Sequence, residues 1–150
     1  MHNIHLLKTS TMKKLFVALT SFFVLCTFVS CDRVVTSDRL PAQAKQFISA
    51  HFNGIDILSV RKDGSQYEVV LFDGTELDFT RGGKWTKVDC GMNPLPDGIL
   101  PANTVQYLTA KFPMNFATKV KYEHKRYEVG LNNDLDLLFD KNGNFIGTDD

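Results

Sequence analysis

The histidines and cysteines, which often carry acid–base, nucleophilic or metal chemistry, are few in this sequence of 150 residues. Beyond residue 31 they are His51, His124 and Cys90. Two histidines are too few for a metal cluster, and Cys90 has neither CxxC spacing nor an adjacent histidine that would lower its pKa. We therefore expect no catalytic residues, two histidines in solvated positions and a cysteine that packs as a small apolar residue.

One motif near the C-terminus begins like a calcium-binding loop. Asp140, Asn142 and Asn144 alternate in DKNGN, as the first ligands of an EF-hand loop do. The required glycine at the sixth position is Phe145, and no closing glutamate follows. We expect a hairpin turn here and no metal site. The sequence also contains no G-x-S-x-G motif, P-loop or dinucleotide-binding glycine motif, and we predict a protein that is not an enzyme and has no cofactor.

Charge and length restrict the remaining classes. Lys plus Arg and Asp plus Glu each number 17. This balanced charge provides no overall field that would attract nucleic acid, so we expect no nucleic-acid partner. With 43% hydrophobic residues, the chain is long enough for one domain with a substantial core.

The first 31 residues have the layout of a secretory signal peptide. Two lysines follow Met12, and an apolar run over 15–29 leads to Ser30 and Cys31. The residues before Cys31 resemble a bacterial lipobox, although Phe28 stands where an aliphatic residue is usual. We expect lipidation of Cys31 and a protein in the periplasm or anchored to the outer membrane. The alternative is ordinary cleavage, which would leave a soluble exported protein.

The sequence beyond the signal contains one segment twice. A shift of 60 positions places LPAQAKQFISAHF over LPANTVQYLTAKF, YEVVL over YEVGL and LDFTRGGKW over LLFDKNGNF without a gap. A period of this length that occurs only twice indicates a duplicated supersecondary unit rather than an open array. We divide the chain into a signal peptide (1–31), a polar tether (32–39), a first repeat (40–89), a linker (90–99) and a second repeat (100–150).

Each repeat begins with a helical pattern and continues with a strand pattern. The apolar residues Ala44, Phe47, Ile48 and Phe52 lie at helical spacing after Pro41, and the second repeat has the same spacing. The period then changes to two, which predicts four short strands joined by glycine turns. We predict an α+β fold with two tandem helix-plus-four-stranded antiparallel meanders. They would form one sheet of about eight strands with both helices on one face, because the helices provide the only large apolar surfaces that could cover it.

The turn sequences predict the register of the hairpins. A two-residue turn at positions 63–64 would place Val60 opposite Tyr67 and Leu58 opposite Val69, all on the core side. A three-residue loop at positions 81–83 would pair the aromatic residues at 79 and 85 and would give the glycine at 83 a left-handed conformation.

With these motifs the chain resembles a known family. A LPAQAKQFISAHF helix followed by short strands with Asp-Gly turns, all duplicated behind an export signal, is similar to the PepSY-like proteins, beta-lactamase-inhibitor-like exported proteins of bacteria. The resemblance extends from Asp38 to Asp149. It implies the tandem helix-plus-four-strand fold of beta-lactamase inhibitor protein, whose open sheet face grips an enzyme. It implies no catalytic residues, and this sequence lacks the paired disulfides of that inhibitor.

Alternation along the predicted strands defines an outer sheet face, turned away from the helices. Cross-strand charge pairing explains part of its composition, with Arg61 diagonal to Glu68 and Lys119 facing Glu128. Apolar residues among these charges indicate an interaction patch, unless the linker or a neighbouring subunit covers them. The partner-binding candidates on this face are Ile57, Arg61, Glu68, Val70, Phe72, Asp78, Lys119, Glu128 and Leu138.

These observations favour a non-enzymatic binding module of the cell envelope. It would hold an envelope protein or peptide on the outer sheet face, with an inhibitor-like role as one form of this function. The membrane would be a partner only through the N-terminal lipid. The alternative is a carrier of a small ligand or peptide fragment, with a pocket between sheet and linker near Trp85, Cys90 and Pro94.

Overall fold

The computed structural model describes residues 33–149. The predicted signal peptide and Cys31 lie outside these residues. Within them, neither helix has the length and apolar character needed to cross a membrane. The helices are α1 (Ala42–His51) and α2 (Ala102–Lys111), and a 3₁₀ turn covers Ser37–Arg39. The strands are β1 (Arg33–Val35), β2 (Ile57–Asp63), β3 (Gln66–Leu71), β4 (Glu76–Thr80), β5 (Trp85–Asp89), β6 (Ala117–Glu123), β7 (Arg126–Leu131), β8 (Asp136–Asp140) and β9 (Phe145–Asp149).

The nine strands of residues 33–149 form one antiparallel sheet in which strand order follows chain order. In the chain, α1 precedes β2–β5 and α2 precedes β6–β9. Strand β5 pairs with β6 and places Val88 opposite Val120, so the sheet is continuous between the two repeats. The prediction of a single antiparallel sheet with two helices is confirmed, with one strand more than the expected number of about eight.

The additional strand is β1, which lies in the segment that we expected to be a tether. Val35 lies opposite Val60, and Val34 lies opposite Arg61, in an antiparallel pair with β2. Two consecutive β-branched residues favour an extended backbone, and the edge of β2 offers them unpaired hydrogen-bonding groups. Three residues are too few to show a period of two, which is why the sequence pattern did not predict this strand.

A β-bulge in β2 reverses the predicted orientation of Ile57 and Leu58. Ile57 lies opposite Leu71 and Ser59 lies opposite Val70, with Leu58 as the extra residue between the two pairs. An inserted residue shifts the side-chain alternation by one. Ile57 therefore packs against the core, and Leu58 is 56% exposed. The predicted placements of Ile57 on the outer face and of Leu58 in the core were both wrong.

The first hairpin differs from its predicted register by two residues. Asp63 pairs with Gln66, so Gly64 takes the first central position of the turn, with a φ of 53°. A glycine suits this position in a type II′ turn, whereas a turn centred one residue earlier would require a positive φ at Asp63. Val60 consequently lies opposite Val69. Because the shift is an even number of residues, Val60 still faces the core.

The hairpin between β4 and β5 has the predicted register. Phe79 lies opposite Trp85, and Gly83 has a φ of 89°. A Cβ atom at Gly83 would lie 2.9 Å from both the backbone N of Ala44 and the Cβ of Pro41. The turn glycine therefore serves two purposes, because it supplies the left-handed backbone and lets the first turn of α1 approach the sheet closely.

The helices and strands bury apolar side chains against each other. Phe47 of α1 contacts Phe79 with ring centroids 5.8 Å apart, and Tyr107 of α2 contacts Phe139 with centroids 5.6 Å apart, both in edge-on geometry. The predicted apolar stripes of the two helices are thus confirmed. The buried strand residues with the lowest exposure come from both repeats: Val60, Val69, Leu71, Leu77, Phe79, Val88, Val120, Val129, Leu137 and Phe139.

Candidate functional site

The sheet face opposite the buried strand residues carries charged side chains from both repeats. Residues that lie opposite each other on neighbouring strands share a face, so the register defines two rows across the sheet. The first row consists of Val34, Arg61, Glu68, Asp78, Lys87, Lys121, Glu128, Leu138 and Gly147. The second row consists of Ser59, Val70, Glu76, Asp89, Lys119, Gly130, Asp136 and Asp149. We call these two rows the charged face.

Ion pairs order many of the charges on this face. Lys87 Nζ lies 2.8 Å from Glu76 Oε2, and Lys119 Nζ lies 3.2 Å from Asp136 Oδ1. Each of these side chains is partly exposed, so each pair contributes little to the stability of the fold. The pairs instead fix the positions of opposite charges along the sheet, which is the property that a charged recognition surface requires.

Two predicted charge pairs have a different geometry from that expected. Arg61 lies directly opposite Glu68 rather than diagonal to it, with 3.9 Å between Nη1 and Oε2. Lys119 does not face Glu128, because Lys121 occupies that position. The first difference follows from the two-residue shift of the first hairpin described above, and the second follows from the same shift between β6 and β7, where Glu123 pairs with Arg126. Cross-strand pairing therefore accounts for Glu68, whereas Lys121, which lies opposite Glu128, forms its ion pair with Glu123 at 2.8 Å.

Asp78 lies in the middle of the first row, between Glu68 on one strand and Lys87 on the other. Partial burial raises the pKa of its carboxyl; Lys87 opposes this shift, and the nearby Glu68 and Glu76 increase it. A raised carboxyl pKa favours the neutral form. A cation beside this carboxyl would lower its pKa again, because it stabilises the carboxylate.

A shallow cavity of about 270 Å³ lies on the charged face where the two repeats meet. Its ammonium groups are directed to acids on neighbouring positions, as for Lys87 and Glu76. Within residues 33–149, no group of three or more histidine, cysteine, aspartate or glutamate side chains is arranged to hold a metal ion. The cavity is lined by Lys87, Asp89, Lys119, Val120, Lys121 and Glu128.

One end of the sheet presents three apolar side chains, Leu58, Val70 and Phe72, which we call the apolar corner. Phe72 follows β3 directly and is 67% exposed, and Val70 is half-buried. Leu58 sits in the bulge of β2, next to the residue that pairs with Val70. The corresponding positions of the second repeat hold Thr118, Gly130 and Asn132. The apolar corner is therefore a property of the first repeat alone.

Leu138 does not belong to this corner. It is half-buried in β8, opposite Glu128 on one side and Gly147 on the other. The apolar candidates predicted from the sequence thus separate into three environments. Val70 and Phe72 lie together, Leu138 lies near the other end of the sheet, and Ile57 faces the core.

The structure places Trp85, Cys90 and Pro94 in different surroundings. The indole of Trp85 contacts the rings of Phe47 and Tyr127, with centroids 6.2 and 6.4 Å away, and Cys90 is buried. Pro94 lines a cavity of about 360 Å³ between the linker and α2 rather than between linker and sheet. This cavity is lined by Pro94, Leu95, Pro96, Asp97, Gly98, Leu100, Val105, Leu108, Thr109, Phe112, Pro113, Asn115, Phe116 and Ala117.

Cys90 has the environment of a structural residue. Burial raises the pKa of its thiol from 9.0 to about 11, although a hydrogen bond with Thr75 opposes this shift. Because the thiolate is the reactive species, a pKa of about 11 instead of 9.0 reduces the reactive fraction by roughly 100-fold at neutral pH. The neutral thiol contributes stability below the pKa of the unfolded chain, and this contribution is lost as pH rises towards about 11.

We therefore predict that Cys90 in the folded protein reacts with iodoacetamide at pH 8 at least about 100-fold more slowly than in urea. Mass spectrometry of the peptide that contains Cys90 measures this rate without interference from Cys31. The rate in urea provides the control for intrinsic reactivity. Equal rates in the two solvents would contradict the structural role and would identify an accessible thiol.

The two histidines lie at the ends of secondary-structure elements. His51 is the last residue of α1, where its ring centroid lies 4.7 Å from that of Phe47. His124 lies in the turn between β6 and β7 with a φ of 52°. The second position of this turn, Lys125, has a φ of 62°, as a type I′ hairpin turn requires. Both histidines thus take part in local structure at chain reversals or helix ends.

Asp140 is used by the hairpin turn that joins β8 to β9. Its Oδ1 accepts hydrogen bonds from the backbone N–H groups of Asn142 and Asn144 at 2.8 and 2.9 Å, and its Oδ2 accepts one from the side chain of Asn144 at 3.0 Å. These hydrogen bonds hold the pKa of Asp140 below its usual value, and the bond from the backbone N–H of Asn144 has the largest effect. The interpretation of DKNGN as a hairpin turn is confirmed.

Comparison with known families accounts for the repeated architecture. The family model described as "Putative beta-lactamase-inhibitor-like, PepSY-like" matches residues 29–71 and, in a second match, residues 65–147. The chain belongs to the PepSY-like family. The resemblance predicted from the helix and turn motifs is therefore confirmed. No curated protein sequence matches the PepSY-like chain at a significant level.

Solved structures of bacterial periplasmic proteins share this fold. A Bacteroides thetaiotaomicron protein described as a "putative calcium-regulated periplasmic protein" is 31% identical, with a TM-score of 0.75 over 79% of this chain and 97% of its own. A Bacteroides vulgatus periplasmic protein of unknown function is 29% identical, with a TM-score of 0.77 over 79% and 99% of the two chains. A second B. vulgatus periplasmic protein is 26% identical, with a TM-score of 0.76 over 81% and 99%.

Proposed function

We propose that this PepSY-like chain is a non-enzymatic binding module of the cell envelope, which holds a protein or peptide partner on its charged face with the apolar corner as the anchor. The observation that carries the proposal is the difference between the repeats at the apolar corner. Both repeats have the same fold, yet only the first exposes leucine, valine and phenylalanine where the second has Thr118, Gly130 and Asn132.

Folding does not require apolar residues at these positions, because the second repeat forms the same bulge and hairpin with polar residues or glycine. Leu58 and Phe72 are 56% and 67% exposed. Exposed apolar side chains gain free energy when a partner removes them from water. An apolar cluster beside charged rows is the usual composition of a protein-binding surface, in which the apolar part supplies affinity and the charged part supplies specificity.

The helices would leave this face free. Phe47 of α1 contacts Phe79, and Tyr107 of α2 contacts Phe139. Phe79 lies two residues after Leu77, and Phe139 lies two residues after Leu137, so each shares the sheet face of that leucine. The two leucines are joined across the sheet by a continuous row of buried side chains in which each residue lies opposite the next: Leu77, Val88, Val120, Val129 and Leu137. We therefore propose that each repeat contributes one helix to the same side of the sheet. An inhibitor-like role, in which the opposite face grips an enzyme, is one form of the proposed binding function.

The envelope location is supported by the apolar N-terminal run and by the periplasmic proteins with the same fold. We propose that Cys31 carries a lipid, which would tether the binding module to a membrane. Arg33, where β1 begins, follows Cys31 by two positions. Such a short connection would keep the sheet close to the membrane surface.

The alternative function, a carrier of a small ligand or peptide fragment, is supported by the cavity between the linker and α2. This cavity measures about 360 Å³ and includes the exposed side chains of Val105 and Phe116. In the first repeat, the corresponding residues are Lys45 and Asp56, so this apolar lining is specific to the second repeat. Native mass spectrometry of the protein purified from its host would detect a retained ligand.

The proposal predicts that exchange of the apolar corner for its counterpart in the second repeat abolishes partner binding. The double variant Leu58→Thr/Phe72→Asn introduces residues that the same fold already accepts, so its free energy of unfolding should change by less than about 1 kcal/mol. Capture of a specific envelope protein should fall by at least about tenfold, because anchors of this kind dominate binding energy. Affinity purification from the host envelope followed by quantitative mass spectrometry measures the change.

A matched control is Val105→Lys, which also replaces an exposed apolar residue by its counterpart from the other repeat. This variant should retain the captured protein. If Leu58→Thr/Phe72→Asn captured the same proteins as the wild type, the apolar corner would not be the anchor. If only Val105→Lys lost capture, the groove beside α2 would be the binding site instead.

A further inference from the structure

Strand β1 occupies the same position on β2 that β5 occupies on β6. Val35 lies opposite Val60 in the first repeat, and Val88 lies opposite Val120 in the second. Residues 60 and 120 are equivalent in the duplication. The strand that precedes each helix therefore pairs, in the same register, with the strand that follows that helix, although β1 lies before the first repeat and β5 is the last strand of the first repeat.

Strand β9 is the counterpart of β5 at the other end of the sheet. Within residues 33–149, no further strand pairs with the outer edge of β9. Its residue Thr148, which is exposed, corresponds to Val88, which is fully buried by pairing at the centre of the sheet. The surface with which β5 binds β6 is thus repeated on β9, where it is free.

The two ends of the sheet are consequently complementary. We propose that the edge of β2 beneath β1 is a docking surface for β9 of a second copy of this chain, and that β1 keeps this surface closed. The junction between β5 and β6 is the template for the proposed interface. This inference is independent of the partner-binding role of the charged face.

The template fixes the register of the second copy. Thr148 would lie opposite Val60, as Val88 does opposite Val120, and Gly147 would lie opposite Arg61. In the internal junction, the latter position pairs two lysines, Lys87 with Lys121. A glycine in place of one lysine removes this like-charge contact. The proposed interface therefore has less electrostatic repulsion than the internal junction between β5 and β6.

In the wild-type protein β1 prevails because it belongs to the same chain. It forms three residue pairs with β2, and a second copy would form about the same number from the template. The second copy must also lose translational and rotational freedom on binding, whereas β1 is already held beside β2 by the chain. The wild-type protein should therefore be monomeric through this surface, and release of β1 should permit head-to-tail association.

The test uses the mature chain with Val34→Pro/Val35→Pro. This double substitution removes both backbone N–H groups, so β1 cannot pair with β2 whichever of the two faces it. Light scattering after size-exclusion chromatography should show the wild type at the mass of one chain. The variant should increase to two chains or more as its concentration rises, with amides of β9 newly protected from hydrogen exchange.

Two substitutions of the exposed Thr148 identify the surface involved. In the proline background, Thr148→Val should strengthen association because it restores the residue of β5. Thr148→Asp should weaken association by at least about tenfold, because it would bury an unpaired charge. The milder Val35→Asp, which keeps both amides, provides a second way to release β1 if the proline variant unfolds. A released β1 with a monomeric protein, or association unaffected by Thr148→Asp, would overturn the proposal.

Discussion

Replacement of Phe79 by alanine is expected to lower the free energy of unfolding by about 3–5 kcal/mol. Phe79 has no exposed surface, and its ring meets that of Phe47 from α1 edge-on. The substitution would leave a cavity between the helix and the sheet at the position where the two pack most directly. Urea denaturation followed by circular dichroism measures the change.

Phe145 provides a matched control, because it pairs with Phe139, the counterpart of Phe79 in the second repeat. Phe145 lies opposite Phe139 in the second repeat and stacks on Tyr107 with a centroid distance of 4.5 Å, but it is 37% exposed. Phe145→Ala should therefore lower stability by only about 1 kcal/mol. Similar losses for Phe79→Ala and Phe145→Ala would contradict the expectation that the fully buried ring contributes more than the partly exposed one.

The second large effect is expected at Gly83, for which the chain provides two internal controls. Gly74 and Gly83 have φ values of 87° and 89°, but only at Gly83 would a Cβ atom meet other atoms closer than 3.0 Å. Gly147 has no positive φ, and a Cβ atom added there would meet no other atom within 4 Å. The three glycines thus separate backbone strain from steric conflict.

We expect Gly147→Ala to be nearly neutral and Gly74→Ala to lower stability by about 1 kcal/mol through the left-handed backbone alone. Gly83→Ala should lower stability by a further 1–3 kcal/mol, roughly, because α1 must move away from the turn. Thermal or urea denaturation of the three variants measures the stability loss of each and so ranks the three substitutions. A Gly83→Ala effect no larger than that of Gly74→Ala would mean that the helix adjusts without strain.

Much of the architecture could be predicted because the sequence contains two copies of the same repeat. The helix stripe that begins at Ala44 and the pairing of Phe79 with Trp85 both recur after 60 residues, so each pattern was supported by two copies. Core assignments also withstood the wrong register of the first hairpin. A shift of two residues changes every cross-strand partner but leaves each side chain on its own face.

The errors arose where one residue changes the alternation or where a strand is very short. The bulge at Leu58 leaves no mark in a period-two pattern, because Ile57 and Leu58 are equally apolar. The duplication gave no warning either, because Thr118, the counterpart of Leu58, is buried in the second repeat. Strand β1 was missed because its pairing depends on an edge that only the folded sheet creates.

The candidate site was predicted in composition more than in geometry. Alternation placed Glu68 and Asp78 on the charged face, but the pairs between strands depend on the exact turn residues. The apolar corner required the bulge to be known. Phe72 was identified because strand alternation places it on the same face as Val70, whereas the contribution of Leu58 became evident only in the folded chain.

Strand order that follows chain order has a consequence for how the protein forms. Neighbours in the sheet are neighbours in sequence, so the contact order is low for a β-rich chain, and each hairpin can close on the one before it. Under the envelope location proposed above, a chain exported with its N-terminus first could assemble progressively, without waiting for a distant segment. Such vectorial folding would limit the time during which unpaired strands are open to aggregation.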